Sequence, residues 1–282
     1  MSNILILNDL PGYGSIASMG MRPVLLYYGH EVFVLPSLLI SNTLDYGKFT
    51  TLDTTAYIAQ ALATYEELGF APDVMATGFV AGSMQAQEFC RLIDERDAEV
   101  WVDPIMADNG KLYNGVDEGW VKGLRELASR ADVLLPNATE SAFLLGEEPG
   151  ILGEKEALHR LEKLHRLGAK SILITSCEDE RGEHSVWGYD GNKNRTFQVP
   201  YERLPIHLAG TGDLFSSILL AESMTGRSLE EATRVATTAL SLLLARVVDH
   251  PPRGGIVIHR HFDALEEAHR LVLGSSILGE RP

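Results

Sequence analysis

Short apolar runs alternate with amphipathic stretches along the whole chain. Apolar runs typical of buried strands occupy residues 3–7, 31–36, 73–77, 99–102, 132–135, 170–175 and 256–258. Patterns with helical spacing occupy residues 15–28, 52–68, 83–93, 117–130, 158–167, 214–222 and 229–248, and a last helix is predicted to begin at Asp263. A β-hairpin is predicted between residues 184 and 199, with its turn at Asp190-Gly191. Pro23 predicts a break or kink in the first helix.

This alternation predicts an α/β fold in which a central, mostly parallel β-sheet is flanked by helices on both faces. Neither a linker nor a low-complexity stretch nor an internal repeat interrupts residues 1–282. The chain is therefore predicted to form a single domain. Ligands of such sheets bind outside the carboxyl ends of the strands, so the residues that follow each strand are the first candidates for a site.

Composition narrows the classes of function. The formal net charge of −15 disfavours binding to nucleic acid or to an anionic membrane surface, although main-chain amides and a metal ion can still hold a phosphate. Cys90 and Cys177 lack metal-ligand spacing and are expected to be free thiols. The first apolar run is predicted to be a core strand and not a signal peptide, and no run approaches membrane-spanning length. A cytoplasmic location is expected.

Two glycines flank a threonine just before a predicted helix, in the stretch Gly210-Thr211-Gly212-Asp213. Main-chain amides in such a turn lie open at the helix N-terminus and attract a phosphate-sized anion. Asp213 would repel that anion unless it has chemical work, and the obvious work is to take a proton from an attacking hydroxyl. An alternative is that Asp213 merely caps the helix. This stretch alone leaves both roles open.

Acidic side chains follow two other predicted strands. Asp103 and Asp108 are one short loop apart, and Glu140 follows the next strand beside Asn137. A magnesium ion bound with phosphate takes one or two carboxylates and several waters, which these acids could supply directly or through water. The alternative is a surface turn at Asp108 and a first-turn helix residue at Glu140.

An early glycine motif competes with this interpretation. Gly12-Tyr13-Gly14-Ser15-Ile16-Ala17 matches the G-x-G-x-x-A dinucleotide fingerprint. Residues 8–11 separate it from the first strand, which disfavours a nicotinamide site, and we expect these glycines to let a loop approach a small substrate. Ser41 and Asn42 could face the same substrate, or form an ordinary solvated loop.

Taken together, three segments resemble the ribokinase-like superfamily, and within it the pyridoxal kinase branch. They are Asp103-Pro104-x-Met106-x-Asp108-Asn109-Gly110-Lys111-Leu112-Tyr113, Pro136-Asn137-x-x-Glu140 and Gly210-Thr211-Gly212-Asp213. Two further segments are similar to the substrate side of that branch, Asn8-Asp9-Leu10-Pro11-Gly12-Tyr13-Gly14 and Ser41-Asn42-Thr43. The resemblance covers nearly the whole chain in order.

The resemblance implies phosphorylation of the 5′-hydroxymethyl group of a B6 vitamer (pyridoxal, pyridoxine or pyridoxamine) by ATP with Mg²⁺, in a homodimer. A monovalent cation is left open. Asp213 would be the catalytic base, and the transferring phosphate would be held by Gly210, Thr211 and Gly212. The metal region would contain Asp103, Asp108 and Glu140. The nucleotide or its phosphates would be contacted by Asp108, Tyr113, Asn137, Glu140, Thr175 and Ser176. The vitamer side would comprise Asp9, Gly14, Ser41, Asn42 and Phe79.

Departures from the branch keep other functions open. Asp9 stands where a serine touching the pyridine ring is common, and Phe79 stands where a tyrosine is frequent. An acid at the ring is expected to favour pyridoxamine or pyridoxine over pyridoxal. The alternatives are a hydroxymethylpyrimidine kinase of the same superfamily and a vitamer-binding regulatory protein without turnover.

Overall fold

The structure follows the predicted alternation of strands and helices. It is a computed structural model, and it describes residues 1–275 and 277. The strands are β1 (Asn3–Pro11), β2 (Glu31–Ile40), β3 (Thr51–Asp53), β4 (Val74–Thr77), β5 (Glu99–Val102), β6 (Ala107–Asp108), β7 (Lys111–Leu112), β8 (Val133–Leu134), β9 (Ser171–Glu178), β10 (His184–Asp190) and β11 (Arg195–Tyr201). The helices are α1 (Ala17–Tyr27), α2 (Thr55–Glu67), α3 (Ser83–Asp94), α4 (Glu118–Ala128), α5 (Ala138–Leu145), α6 (Glu154–Leu167), α7 (Thr211–Ser223), α8 (Leu229–Ala245) and α9 (Phe262–Leu273). Short 3₁₀ helices lie at Leu44–Tyr46 and Ile258–Arg260.

Nine strands form one sheet, in the order β11-β10-β9-β8-β5-β4-β1-β2-β3. Every pair from β9 across to β2 is parallel. The antiparallel pairs of this sheet lie at its two edges, where β3 joins β2 and where the predicted hairpin, β10 and β11, joins β9. β6 and β7 form a separate small hairpin. The central, mostly parallel sheet is therefore confirmed.

The apolar core lies in two layers, one on each face of the sheet. Along β1, Ile4 and Ile6 belong to one layer and Leu5 and Leu7 to the other, because successive side chains of a strand point to opposite faces. The first layer contains residues of α1, α7, α8 and α9, and the second contains residues of α3, α4 and α6. The predicted helices on both faces are confirmed. None of the helices in the described part of the chain is long and apolar enough to cross a membrane.

The segment predicted as a strand at residues 256–258 does not join the sheet. Ile256 and Ile258 are buried, but the chain here forms a loop that enters a 3₁₀ helix. The Gly254 carbonyl accepts a 2.6 Å hydrogen bond from the Ser15 amide, which anchors this loop to the turn before α1. A short apolar run signals burial, and it does not distinguish a strand from a buried loop.

Two other boundaries differ from the sequence-based expectation. α1 continues without interruption through Pro23. The helix predicted from residue 52 begins at Thr55, because residues 51–53 pair with the end of β2 as an added edge strand. The Asp53 carboxylate then accepts a 2.7 Å hydrogen bond from the Thr55 amide at the helix start.

Candidate active site

The turn before α7 presents main-chain amides to the outside. Gly210 is the N-cap residue in the left-handed conformation (φ 83°), and α7 has no side-chain cap within the described residues. A Cβ built on Gly212 would meet no heavy atom within 4 Å, so the space outside this helix end is open. Open amides at the start of a helix, together with the helix dipole, can hold an anion such as a phosphoryl group.

The Asp213 carboxylate points inward from the first turn of α7. Its Oδ1 accepts a 3.0 Å hydrogen bond from Asn8 Nδ2, and its Oδ2 accepts a 2.9 Å hydrogen bond from the Ala17 main-chain amide. Because the side chain bonds to other elements and not to its own helix start, the capping alternative does not hold. Desolvation raises the pKa of Asp213, and the two hydrogen bonds partly lower it. A carboxylate in this position can accept a proton from a group bound at the helix end.

Asn8 connects three parts of this region. It is the last residue of β1 in register with β2 before the bulge, and it is fully buried. Besides its bond to Asp213, its Oδ1 accepts hydrogen bonds from the main-chain amides of Asp9 and Phe79.

Asp103 follows β5 and faces the same helix start. The Ser216 hydroxyl, one turn after Asp213 on α7, donates a 2.9 Å hydrogen bond to Asp103 Oδ2. Burial, and then the charge of Asp213, raises the pKa of Asp103 to about 7. The two carboxyl groups therefore interact although they lie on different elements.

Glu140 is held by main-chain amides. It forms a capping box with Asn137 at the start of α5, and its Oε2 accepts a 2.9 Å hydrogen bond from the Asn137 amide. Its Oε1 accepts a 3.0 Å bond from the Met106 amide and a longer one from Ala107. Burial, and then the charge of Asp103, raises the pKa of Glu140 well above its usual range. Glu140 thus ties the loop after β5 to the turn after β8.

Asp108 lies in the small β6–β7 hairpin. Its Oδ1 accepts a 2.8 Å hydrogen bond from the Asn109 amide of its own turn. The described residues contain no group of three His, Cys, Asp or Glu side chains placed to hold a metal ion. The structure therefore does not bring the predicted trio of Asp103, Asp108 and Glu140 together as direct ligands, because Asp108 serves its own turn.

Negative charge nevertheless accumulates at this edge of the sheet. Asp9, Asp103 and Asp213 are half-buried and Glu140 is buried, and none of the four takes part in any ion pair formed by the described residues. Burial, and then the charge of Asp213, also raises the pKa of Asp9 to about 7. Clustered carboxylates without a cationic partner are costly. Oxygen donors of this kind fit a hydrated Mg²⁺ ion.

Three residues predicted to contact the nucleotide lie just beyond the paired residues of β8 and β9. Thr175, inside β9, forms an isolated parallel bridge with Asn137, which follows β8 by three residues. Ser176 is exposed and has a positive φ of 55°. The Tyr113 amide donates a 2.9 Å hydrogen bond to the Met106 carbonyl, and burial and then the charge of Glu140 raise the pKa of its phenol.

The predicted vitamer residues Ser41 and Asn42 lie in a loop beside the first glycine turn. They line an open cavity of about 650 Å³ together with Tyr13, Tyr46, Lys48, Phe49 and Thr50. Their side chains are hydrogen-bonded to each other (2.6 Å), and Asn42 also donates to the Lys48 carbonyl. Both side chains therefore form hydrogen bonds within their own loop, and they can contact a ligand that enters the cavity they line.

Gly14 and Phe79 flank the region from two sides. Gly14 has a φ of 119°, and its Cβ position lies 3.1 Å from the Gly254 carbonyl oxygen, so its lack of a side chain permits a close contact within the protein. The Phe79 ring packs edge-on against Trp120 (5.7 Å between centroids), and its amide is held by Asn8. The prediction that residues 8–11 separate the glycine motif from the first strand is wrong, because β1 runs to Pro11 and Gly12 follows it directly.

The sequence predicts no site role for Asn8, Ala17 or Ser216, although Asn8 and Ala17 stand within two of the quoted motifs. A weak signal existed for two of them, since Asn8 is the polar residue that directly ends the first apolar run and Ser216 interrupts the apolar face of α7. Ala17 contributes only its main-chain amide, so its side chain gives no signal.

Residues 25–251 match the family described as phosphomethylpyrimidine kinase. The chain belongs to this family. A pyridoxine/pyridoxal/pyridoxamine kinase of Bordetella avium is 28% identical over 254 residues, which is 83% of this chain and 81% of the relative. The pyridoxal kinase PdxY of Rubrobacter xylanophilus is 26% identical over 268 residues, which is 87% of this chain and 88% of the relative.

The fold of this family member is shared with solved structures. A candidate phosphomethylpyrimidine kinase of Bacteroides thetaiotaomicron, crystallised with pyridoxal, superposes with a TM-score of 0.88 at 31% identity and covers 95% of each chain. The match confirms the predicted ribokinase-like fold and the resemblance to the pyridoxal kinase branch.

Proposed function

We propose that the chain phosphorylates the 5′-hydroxymethyl group of a vitamin B6 vitamer (pyridoxal, pyridoxine or pyridoxamine) with ATP, giving the 5′-phosphate and ADP. The names of the Bordetella and Rubrobacter relatives, and the pyridoxal in the Bacteroides structure, support this substrate class. The observation that carries the proposal is the Asp213 carboxylate, which two donors hold beside the open amides of α7.

In the proposed reaction Asp213 accepts the proton of the vitamer hydroxyl while the hydroxyl oxygen attacks the γ-phosphorus of ATP. Each Asp213 oxygen receives one hydrogen bond from the protein, so lone pairs remain for the incoming hydroxyl. The bond from the γ-phosphorus to the bridging oxygen breaks, and ADP leaves with that electron pair. The amides of residues 210–212 stabilise the charge on the transferring oxygens.

The donor side of the site comprises the other acids and the adjoining strand ends. Mg²⁺, when bound, would offset the charge of the phosphate oxygens. Asp103 and Glu140 would hold it with the help of waters, and Asp108 would assist through water. None of the three takes part in an ion pair among the residues that the structure describes, which supports this assignment. ATP would be contacted by Tyr113, Asn137, Glu140, Thr175 and Ser176. Assays with and without a monovalent cation test whether such an ion assists the reaction.

The acceptor side comprises Asp9, Gly14, Ser41, Asn42 and Phe79. Asp9 is the informative member, because its carboxylate takes part in no ion pair of the described residues and interacts with Asp213. It would favour a vitamer that carries a cationic aminomethyl group or a protonated pyridine nitrogen.

A hydroxymethylpyrimidine kinase is the second candidate, since the matching family is described by phosphomethylpyrimidine. The deciding experiment measures ADP release from ATP and Mg²⁺ with pyridoxal, pyridoxine, pyridoxamine and hydroxymethylpyrimidine in turn. Turnover of a B6 vitamer supports the proposal. Turnover of the pyrimidine alone keeps the mechanism and changes the substrate. Vitamer binding without turnover of any alcohol would indicate a regulatory protein.

We also propose a single kinase domain over residues 1–282, of which residues 276 and 278–282 lie outside the described residues, acting as a homodimer in the cytoplasm. The exposed apolar side chains at the β3 edge of the sheet, Leu39 and Leu52, support pairing with a second copy. Light scattering after size-exclusion chromatography tests this assembly, and a mass near 31 kDa would contradict it.

A further inference from the structure

Asn8 lies between the proposed base and the loop that carries Phe79. We infer that Asn8 is a positioning residue, which keeps Asp213 ionised and aimed through its Nδ2 group while its Oδ1 atom holds the Phe79 loop. This inference rests on the proposed function, in which Asp213 is the base and Phe79 faces the vitamer.

The hydrogen-bond network fixes the orientation of the Asn8 amide. Oδ1 accepts from the main-chain amides of Asp9 (2.9 Å) and Phe79 (2.7 Å). Main-chain amides can only donate, so the carbonyl oxygen must lie on that side and the amino group must face Asp213. Nδ2 donates to Asp213 Oδ1 at 3.0 Å and lies 3.4 Å from the Met21 sulfur. A donor at this point favours the ionised form of Asp213, the form that can accept a proton.

Gly78 keeps Asn8 in place by having no side chain. A Cβ built on Gly78 would lie 2.3 Å from Asn8 Cγ and 2.4 Å from Nδ2, closer than any real contact. Gly78 does not have a positive φ, so glycine is needed here for space and not for backbone conformation. The end of β4 therefore packs directly onto the face of the Asn8 amide, which is fully buried.

The Asn8 amide connects the proposed base, Asp213, with the Phe79 loop on the proposed vitamer side. The Phe79 loop is fixed at its amide by Asn8 and at its carbonyl by the Ser37 hydroxyl. Any displacement of the Asn8 side chain would therefore move this loop and, at the same time, take the Nδ2 donor away from Asp213. A residue that only filled space would have no such effect on the proton affinity of the base.

The first test is Asn8→Asp. The new carboxyl still accepts from the two main-chain amides but offers an oxygen to Asp213, so the two acids share a proton and the pKa of the base rises. We expect the acidic limb of the kcat profile to move up by at least about one pH unit, so that kcat at a pH on that limb falls about tenfold or more. Asp9 and Asp103 also face Asp213, and both are unchanged, so the comparison with wild type isolates Asn8.

The second test displaces the Asn8 side chain by a substitution at a neighbouring residue. Gly78→Ala pushes the amide away from Asp213, and we expect it to move the acidic limb in the same direction. Ser18→Ala is the matched control, because the Ser18 hydroxyl donates to the Asn8 main-chain carbonyl (3.3 Å) and not to the amide side chain. The control should keep the wild-type pH profile. If Asn8→Asp does not fold, Gly78→Ala decides the test.

A measurement without turnover separates this inference from the proposed function. The carboxyl ¹³C resonance of Asp213, assigned by its loss in Asp213→Asn, can be titrated directly in wild type, Gly78→Ala and Ser18→Ala. A raised pKa in Gly78→Ala alone supports the role of Asn8. An unchanged pKa of Asp213, or variants that lose only thermal stability, would overturn it. Failure of wild type to phosphorylate any vitamer would overturn the proposed function instead.

Discussion

Gly210 lies so close to Ile16 that a Cβ on the glycine would come within 2.7 Å of the Ile16 Cγ2 atom. Gly212, two residues later, faces open space instead. The two glycines therefore differ in purpose. Gly210 permits a tight left-handed turn against the residue that precedes α1, and Gly212 leaves room for a ligand outside α7.

Gly210→Ala should destabilise the fold. The alanine combines a strained positive φ with a steric clash, so we expect the free energy of unfolding to fall by about 2–4 kcal/mol. Urea denaturation followed by circular dichroism measures this change. An unaltered midpoint would show that the turn can relax, and that the contact with Ile16 is not a constraint.

Gly212→Ala should lower activity and not stability. Its methyl group meets no protein atom, and alanine favours a helix over glycine by up to about 1 kcal/mol, so stability should be kept or raised. The same methyl group occupies the space assigned to the phosphoryl group, and kcat/KM for ATP should fall about tenfold or more. Steady-state kinetics with normal values for this variant would contradict the phosphate assignment.

Stability should depend on pH and Mg²⁺ through the buried acids. The pKa values of Asp9 and Asp103 are raised to about 7, so the folded state binds more protons than the unfolded state between about pH 4 and pH 7. The contribution of these two carboxyl groups to the free energy of unfolding is therefore lost as the pH rises through that window. Mg²⁺ should restore it by binding the ionised carboxylates, and the rise in Tm on adding Mg²⁺ should be larger at pH 8 than at pH 5.5.

Thermal melting in Mg²⁺ and in EDTA at both pH values measures this effect. Asp103→Asn is the informative variant, because it removes one titrating carboxyl and should weaken both dependences. A Tm that responds to neither pH nor Mg²⁺ in wild type would contradict the metal assignment.

Asp9→Ser should change the order of vitamers. Without its carboxylate the site loses its preference for a cationic nitrogen, and kcat/KM for pyridoxamine relative to pyridoxal should fall about tenfold, which corresponds to about 1.4 kcal/mol. Parallel assays with the three vitamers measure the ratio, with Asp97→Ser at an exposed position as the control. An unchanged ranking would show that Asp9 does not face the vitamer.

The sequence predicts what depends on local pattern. Periodicity along residues 3–7 and 214–222 suffices for a buried strand and a helix, and two glycines before a helix suffice to predict open amides at its N-terminus. The parallel sheet and its two helical layers follow from the order of these elements.

What the sequence does not predict depends on contacts between distant residues. The bond from Asn8 to Asp213 joins positions 205 residues apart, and only the folded sheet brings them together. Asp108 shows the opposite case, in which a local turn uses the carboxylate that the motif suggested for a metal. Residues 256–258 were wrongly predicted as a strand because burial in a loop gives the same apolar run.

The most direct test of the account is to measure the vitamer 5′-phosphate formed from ATP by wild type and Asp213→Asn, by mass spectrometry, under the same conditions. Asparagine has the shape of aspartate but cannot take the hydroxyl proton. We predict that wild type forms the 5′-phosphate and that the variant forms it about 10³-fold more slowly, with its Tm and its ATP binding retained. Product formation at the wild-type rate by the variant, or none by wild type, would contradict the assignment of Asp213 as the base of a vitamer kinase.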